Sequence, residues 1–140
     1  MSILLVEKKN ITDPMKWFAD VMGFEGEWEK DSYLAGYKLV VHNDTFYYSD
    51  TENYYRFEDM SNYNFEDWET ESWLELAEDR EIIYGYFSDD ELLAEFIHIK
   101  EGKCIREFRE YFDDKESNVD IGTLPEFNSW VDVASYVEHM

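Results

Sequence analysis

The sequence predicts a single α+β domain over residues 1–140, in which two or three helices pack on an antiparallel β-sheet meander. Runs of aromatic and β-branched residues recur along the chain and are separated by short polar turns, as in antiparallel strands. Helical spacing of apolar residues is confined to a few segments. No internal repeat, low-complexity tract or linker rich in Pro and Gly divides the 140 residues.

The N-terminal part is expected to form a strand followed by a helix. Residues 3–6 are an apolar, strand-like run. Thr12 or Asp13 can cap a helix that has Pro14 at its first position and ends at Gly23. The inner face of this helix is expected to carry Trp17, Phe18, Val21 and Met22.

The next segments favour strands. Residues 33–48 are rich in aromatic and β-branched residues and are interrupted at residues 42–44, which predicts two strands joined by a tight turn. A short strand is predicted at residues 54–57 and another at residues 81–88. Residues 92–112 predict a long hairpin that turns at Glu101 and Gly102.

Two further segments have a helical pattern. Between residues 64 and 79 the apolar residues fall mostly at helical spacing, with acidic residues in the gaps. These apolar residues are Phe65, Trp68, Trp73, Leu76 and Ala77. Near the C-terminus, Asn128 or Ser129 can cap a helix that should pack across the sheet. Its apolar stripe is Trp130, Val133, Ala134 and Val137.

Charge is the strongest functional signal, because 34 Asp and Glu against 12 Lys and Arg give a formal net charge of -22. A field this negative disfavours binding to nucleic acid or to anionic membranes, and it accelerates encounter with a basic partner. The acidity does not indicate disorder, because Leu, Ile, Val and Phe make up a quarter of the residues. We therefore expect a folded domain whose partner is a basic macromolecule.

Signals for catalysis and for bound cofactors or metals are weak. Cys104 is the one cysteine and the three histidines, His42, His98 and His139, stand apart in the sequence. No metal-binding, nucleotide-binding or nucleophile motif occurs, and adjacent carboxylates are inevitable among so many acids. We expect a protein that is not an enzyme and has no cofactor. The lone cysteine and the lack of a signal-peptide pattern predict the cytoplasm.

The acids are concentrated in residues 43–79, which hold twelve carboxylates and one base, Arg56. Tyrosines interleave with them, and aromatic side chains amid carboxylates suit an interface with a surface rich in Arg and Lys. A second acidic group follows the predicted hairpin. The predicted partner-binding residues are Asp44, Tyr47, Asp50, Glu52, Tyr54, Tyr55, Glu58, Asp59, Glu66, Asp67, Glu69, Glu71, Asp113 and Asp114.

Residues 105–138 contain a series of short motifs: R-x-F-x-x-Y, then D-D, then N-V-x-x-G-x-L, then W-x-D-V. The series resembles a pattern in immunity proteins of bacterial polymorphic-toxin and contact-dependent-inhibition systems, which are encoded beside the toxins they neutralise. The resemblance implies a cytosolic protein that binds one cognate toxin domain, often a nuclease, and blocks its active site or substrate groove.

The sequence therefore predicts an immunity protein that binds a basic toxin domain. Nucleases are basic where they bind polyanions, which agrees with the charge of this chain. An alternative is a phage or plasmid DNA mimic whose carboxylates imitate phosphates and occupy a restriction, CRISPR or other DNA-binding enzyme. Charge alone does not separate these two functions.

Overall fold

A single antiparallel sheet organises the chain. The computed structural model describes residues 1–31, 36–41 and 44–140. The strands of these residues are β1 (Ser2–Glu7), β2 (Trp28–Asp31), β3 (Gly36–Val41), β4 (Asp44–Asp50), β5 (Tyr54–Asp59), β6 (Ile82–Ser88), β7 (Leu93–Lys100), β8 (Lys103–Tyr111) and β9 (Val119–Ile121). The α-helices are α1 (Pro14–Met22), α2 (Thr70–Ala77) and α3 (Trp130–Val137).

The nine strands of the described residues are ordered β2-β3-β4-β5-β1-β6-β7-β8-β9. The predicted α+β class with an antiparallel sheet is confirmed, but the sheet is larger than one simple meander. Strand β1 lies between two meanders and pairs with β5 on one side and β6 on the other. Its residues Ile3, Leu4 and Val6 are fully buried, because both faces of this central strand are covered.

Helices cover both faces of the sheet. On one face, Phe18 of α1 stacks on Phe57 with ring centroids 4.3 Å apart, and Trp73 of α2 stacks on Tyr84 at 4.4 Å. On the other face α3 packs over β6 and β7. A Cβ atom on Gly85 would lie 2.5 Å from Val137, so glycine permits this close approach of helix and sheet.

The predicted ends of the first helix are confirmed. The carboxylate of Asp13 accepts a hydrogen bond of 3.1 Å from the backbone N–H of Lys16, and Gly23 ends the helix with φ of +70°. The prediction for Val21 is wrong, because its side chain is 44% exposed. Phe24, just beyond the helix, packs instead on Phe46 with centroids 5.0 Å apart.

The predicted strands have counterparts in the structure. The hairpin of β7 and β8 turns at Glu101 and Gly102, which both have positive φ, as a type I′ turn requires. The predicted strands within residues 33–48 correspond to β3 and β4. Parts of that prediction, at residues 33–35 and 42–43, lie outside the described residues.

The helix predicted for residues 64–79 is only half correct, since α2 begins at Thr70. Two carboxylates hold the backbone of residues 64–67 in a non-helical path. The Asn64 N–H donates to Asp59 at 2.9 Å, and the Asp67 N–H donates to Glu95 at 3.3 Å. Asp67 also has φ of +63°, outside the helical region. Residues 64–69 are therefore an irregular segment packed against the sheet.

Candidate partner-binding site

The irregular segment and the start of α2 border an open cleft of about 690 Å³ over β7 and β8. We call it the acidic cleft, because carboxylates dominate its lining. They are Glu66, Asp67, Glu69, Glu71, Glu91, Glu107, Asp113 and Asp114. Among the described lining residues Arg109 is the one cation.

These carboxylates come from four parts of the chain. The first four belong to residues 66–71, and Glu91 lies in the turn between β6 and β7. Glu107 projects from β8, and Asp113 and Asp114 follow that strand. The sheet brings these segments together because β8 pairs with β7, and Glu107 lies opposite Ile97 on the face covered by α2.

The guanidinium of Arg109 lies on the floor of the cleft and bonds buried groups there. Its guanidinium donates to Glu95 at 2.6 Å, to Glu107 at 2.9 Å and to the carbonyl of Trp68 at 2.7 Å. Glu107 also accepts a hydrogen bond of 3.0 Å from the hydroxyl of Thr70. The single cation is thus directed inward, and the exposed carboxylates of the rim are not neutralised by it.

Glu95 lies beneath the cleft and is fully buried. Besides Arg109, its carboxylate accepts hydrogen bonds from the hydroxyls of Tyr84 and Tyr111 and from the Asp67 N–H. Burial raises the pKa of Glu95, while the Tyr111 hydrogen bond and the Arg109 charge act in the opposite direction. Four donors for one carboxylate are what a buried charge requires.

Aromatic side chains lie among the carboxylates. Phe112 is 58% exposed, and the ammonium group of Lys115 already lies 5.9 Å from the centroid of its ring. Trp68 packs on Trp73 with centroids 4.8 Å apart, which anchors it to the core. The cleft therefore combines negative charge with aromatic faces, a combination that favours Arg and Lys side chains of a protein partner.

The surroundings of Glu66 in the cleft disfavour its charged form. Partial burial raises its pKa, and the nearby charges of Asp67, Glu91 and Glu95 raise it further. Such mutual repulsion stores unfavourable electrostatic energy in the free protein, and a cation placed in the cleft would relieve it.

The structure brings six of the predicted partner-binding residues together in the cleft. They are Glu66, Asp67, Glu69, Glu71, Asp113 and Asp114. The other predicted residues lie on or beside β4 and β5, which β1, β6 and β7 separate from β8. At about 4.8 Å per strand, β5 and β8 are roughly 19 Å apart.

Several residues of that second group have contacts within the protein. Asp50 pairs with Lys8 at 3.0 Å, and the Tyr55 hydroxyl donates to the Ile11 carbonyl at 3.0 Å. The remaining contacts are Tyr54 with Glu81 at 2.6 Å, Glu58 with Arg56 at 3.2 Å, and Asp44 with the hydroxyl of Tyr63. Glu52 is exposed between β4 and β5, and Tyr47 is half-buried opposite Lys38 and Glu58.

Asp59 is only 1% exposed and is therefore closed to a partner in this conformation. It accepts hydrogen bonds from the Ser61 N–H at 3.0 Å and from the Asn64 N–H and side-chain amide. Its role here is to hold the chain between β5 and the irregular segment.

Replacing Asp59 with alanine is therefore expected to destabilise the fold by about 3 kcal/mol, because it leaves buried donors unpaired. Asp50→Ala is the matched control, since its exposed pair with Lys8 should contribute less than about 1 kcal/mol. Urea-induced unfolding of both variants measures the difference. Equal losses of stability would contradict the structural role of Asp59.

Sequence reasoning missed Glu107, Tyr111, Phe112 and Trp68 as site residues. A usable signal was present for two of them, because Glu107, Arg109 and Tyr111 alternate along a predicted strand and so share one face. No local pattern indicated that residues 66–71 would lie over that face.

Comparison of the chain with protein-family models, with curated proteins and with solved structures found no match. Within the described residues, no helix has the length and apolar character needed to cross a bilayer. In the same part of the chain, no three His, Cys, Asp or Glu side chains are grouped so that they could hold a metal ion.

Proposed function

We propose that this protein is a non-enzymatic inhibitor of the immunity-protein type, acting in the cytoplasm on one cognate toxin domain. The toxin domain is basic, and a nuclease fits because its substrate-binding surface must attract a polyanion. Binding covers the active site or substrate groove of the toxin. The inhibitor itself needs neither cofactor nor contact with nucleic acid or membrane.

The observation that carries this proposal is the convergence of eight carboxylates with exposed aromatic surface in one cleft. Complementary charge accelerates the encounter of the two proteins and fixes their register. Aromatic side chains such as Phe112 then supply rigid contact area at the centre of the interface. The arrangement suits a macromolecule that inserts Arg and Lys side chains.

The segment that resembles immunity proteins, residues 105–138, also supplies part of the cleft. Glu107, Phe112 and Asp113 line the cleft, whereas Val133 and Val137 of the same segment are buried under the sheet. Sequence resemblance and charge geometry thus support the same proposal, and Asp113 and Asp114, the D-D motif of the resemblance, belong to both.

A DNA mimic would use its carboxylates differently. Such an inhibitor imitates regularly spaced phosphates along an elongated surface, and its complexes dissociate steeply as salt rises. The carboxylates of the acidic cleft instead surround a concave site with aromatic residues. This geometry favours recognition of one specific protein.

The proposal is tested by co-expressing this protein with the toxin domain encoded beside its gene. Protected growth, and an equimolar complex that survives a wash at about 0.5 M salt, where the Debye length is only about 4 Å, are expected. Growth arrest with no complex would contradict the proposal. Capture of several DNA-binding enzymes that elute as salt rises would instead favour the DNA mimic.

A further inference from the structure

The floor of the acidic cleft holds charges that a partner does not reach. Glu95 is fully buried and Arg109 is only 8% exposed, yet both lie directly under residues 66–71. Burying an ion pair is costly unless its hydrogen bonds are satisfied. Each of the three nitrogens of the Arg109 guanidinium donates a hydrogen bond, and Glu95 accepts from four different residues.

The contacts of this pair end on residues 66–71, which form one wall of the acidic cleft and are called the cleft wall. Glu95 accepts from the backbone N–H of Asp67, and Arg109 donates to the backbone carbonyl of Trp68 at 2.7 Å. Glu107, itself bound by Arg109, accepts from the Thr70 hydroxyl. Three positions of the cleft wall are therefore fixed from below by side chains of β7 and β8.

The wall has little regular structure to hold it otherwise. Residues 64–69 precede α2, and the local backbone hydrogen bonds of Glu66 and Trp68 are long, at 3.4 and 3.3 Å. The neighbouring carboxylates of Glu66 and Asp67 carry like charges, and their repulsion favours moving them apart. The pair under the wall opposes this tendency.

We infer that Arg109 and Glu95 are positioning residues of the acidic cleft, whose buried pair fixes residues 66–70 in the shape that receives the partner. The inference rests on the proposed function for its partner, although the fixed wall is a property of the free protein. A site that is ordered before binding loses less conformational entropy when the partner binds. The complex is therefore more stable and dissociates more slowly.

The substitution Arg109→Met distinguishes a positioning role of Arg109 from an effect of its charge on partner binding. Removing the one cation among the described lining residues makes the cleft more negative, or leaves its charge unchanged where the buried Glu95 takes up a proton, so charge alone predicts binding of a basic toxin domain that is at least as tight. Loss of positioning predicts the opposite, namely dissociation at least about tenfold faster, with association unchanged or faster. Faster dissociation is therefore expected from loss of positioning and not from the change in charge.

Arg106→Met is the matched control. Arg106 lies on the same strand and is 2% exposed, but it bonds Asp120 at 2.6 Å and the Pro125 carbonyl at 2.9 Å, away from the cleft. Both variants lose a buried arginine and should lose stability. Only Arg109→Met should accelerate hydrogen exchange of the Asp67 amide and dissociation of the toxin domain.

The experiment measures association and dissociation rates for the neighbouring toxin domain, and amide exchange of Asp67 in the free variants. Arg109→Lys serves if the methionine variant does not fold, since lysine keeps the charge but cannot bond Glu95, Glu107 and Trp68 together. Tight binding with a protected Asp67 amide in these variants would overturn the inference. If the wild type binds no toxin, the proposed function fails, while the Asp67 exchange still decides whether the wall is held by Arg109.

Discussion

Simultaneous reversal of Glu69, Glu71 and Asp113 to lysine is expected to weaken binding of the proposed toxin domain about a thousandfold and to abolish protection of growth. All three side chains are exposed on the rim of the acidic cleft, so the change leaves the core untouched. Close charge pairs across an interface each contribute at least about 1.5 kcal/mol, and three such pairs account for the expected loss.

The control is a variant with the same net charge, in which Glu25, Glu27 and Glu29 are reversed to lysine. These exposed residues lie at or before β2, on the opposite edge of the sheet from β9. With β2 and β8 seven strands apart, the separation is roughly 34 Å, several Debye lengths at physiological salt. The control should change affinity less than about tenfold. Isothermal titration calorimetry on both folded variants measures the contrast, and equal effects would place the interface elsewhere.

The sequence predicted the helices and strands of the fold better than it predicted which strands pair with each other. Strands rich in aromatic and β-branched residues, the capped helix after Asp13 and the turn at Gly102 all follow from local chemistry. The central place of β1 does not, because pairing with β5 and β6 depends on long-range packing. An apolar run such as Ile3–Leu4 indicates burial, but it does not predict which strands pair with it.

The irregular segment before α2 shows the same limit. Phe65 and Trp68 have helical spacing and are packed against the core, as a helix would place them. The backbone there is instead held by the carboxylates of Asp59 and Glu95, and Glu95 is 28 residues from its donor Asp67. Helix propensity and apolar periodicity are local properties, so they do not predict a hydrogen bond between residues that far apart in sequence.

The candidate site was predicted in part for a related reason. The charge density along residues 43–79 led to the prediction of Glu66 and Glu71, which line the cleft. It led equally to the prediction of acidic residues on β4 and β5, which do not line it. Acids that are neighbours in sequence diverge in space, because the sheet order inserts β1, β6 and β7 between β5 and β8. Which acidic residues lie close together in the fold depends on the strand order, and the strand order cannot be read from amino-acid composition.

Trp73→Ala is expected to cost about 3–5 kcal/mol of unfolding free energy, a large share of the stability of a domain of this size. Trp73 is fully buried, with ring centroids 4.4 Å from Tyr84 and 5.6 Å from Phe65. Its indole N–H finds no hydrogen-bond partner among the described residues. Trp73→Phe removes that unpaired donor and fills more of the space, so it should cost clearly less.

Trp130→Ala on α3 provides the contrast, because Trp130 is only partly buried and packs on the other face of the sheet. It should cost roughly half as much in urea-induced unfolding. Trp73 also supports Trp68 of the acidic cleft, with centroids 4.8 Å apart, so its loss should weaken toxin binding in molecules that remain folded. Trp130 lines a small pocket with Phe112 and does not contact Trp68, so Trp130→Ala should weaken that binding less than Trp73→Ala does. If both alanine variants bind equally well, the core under α2 does not support the cleft.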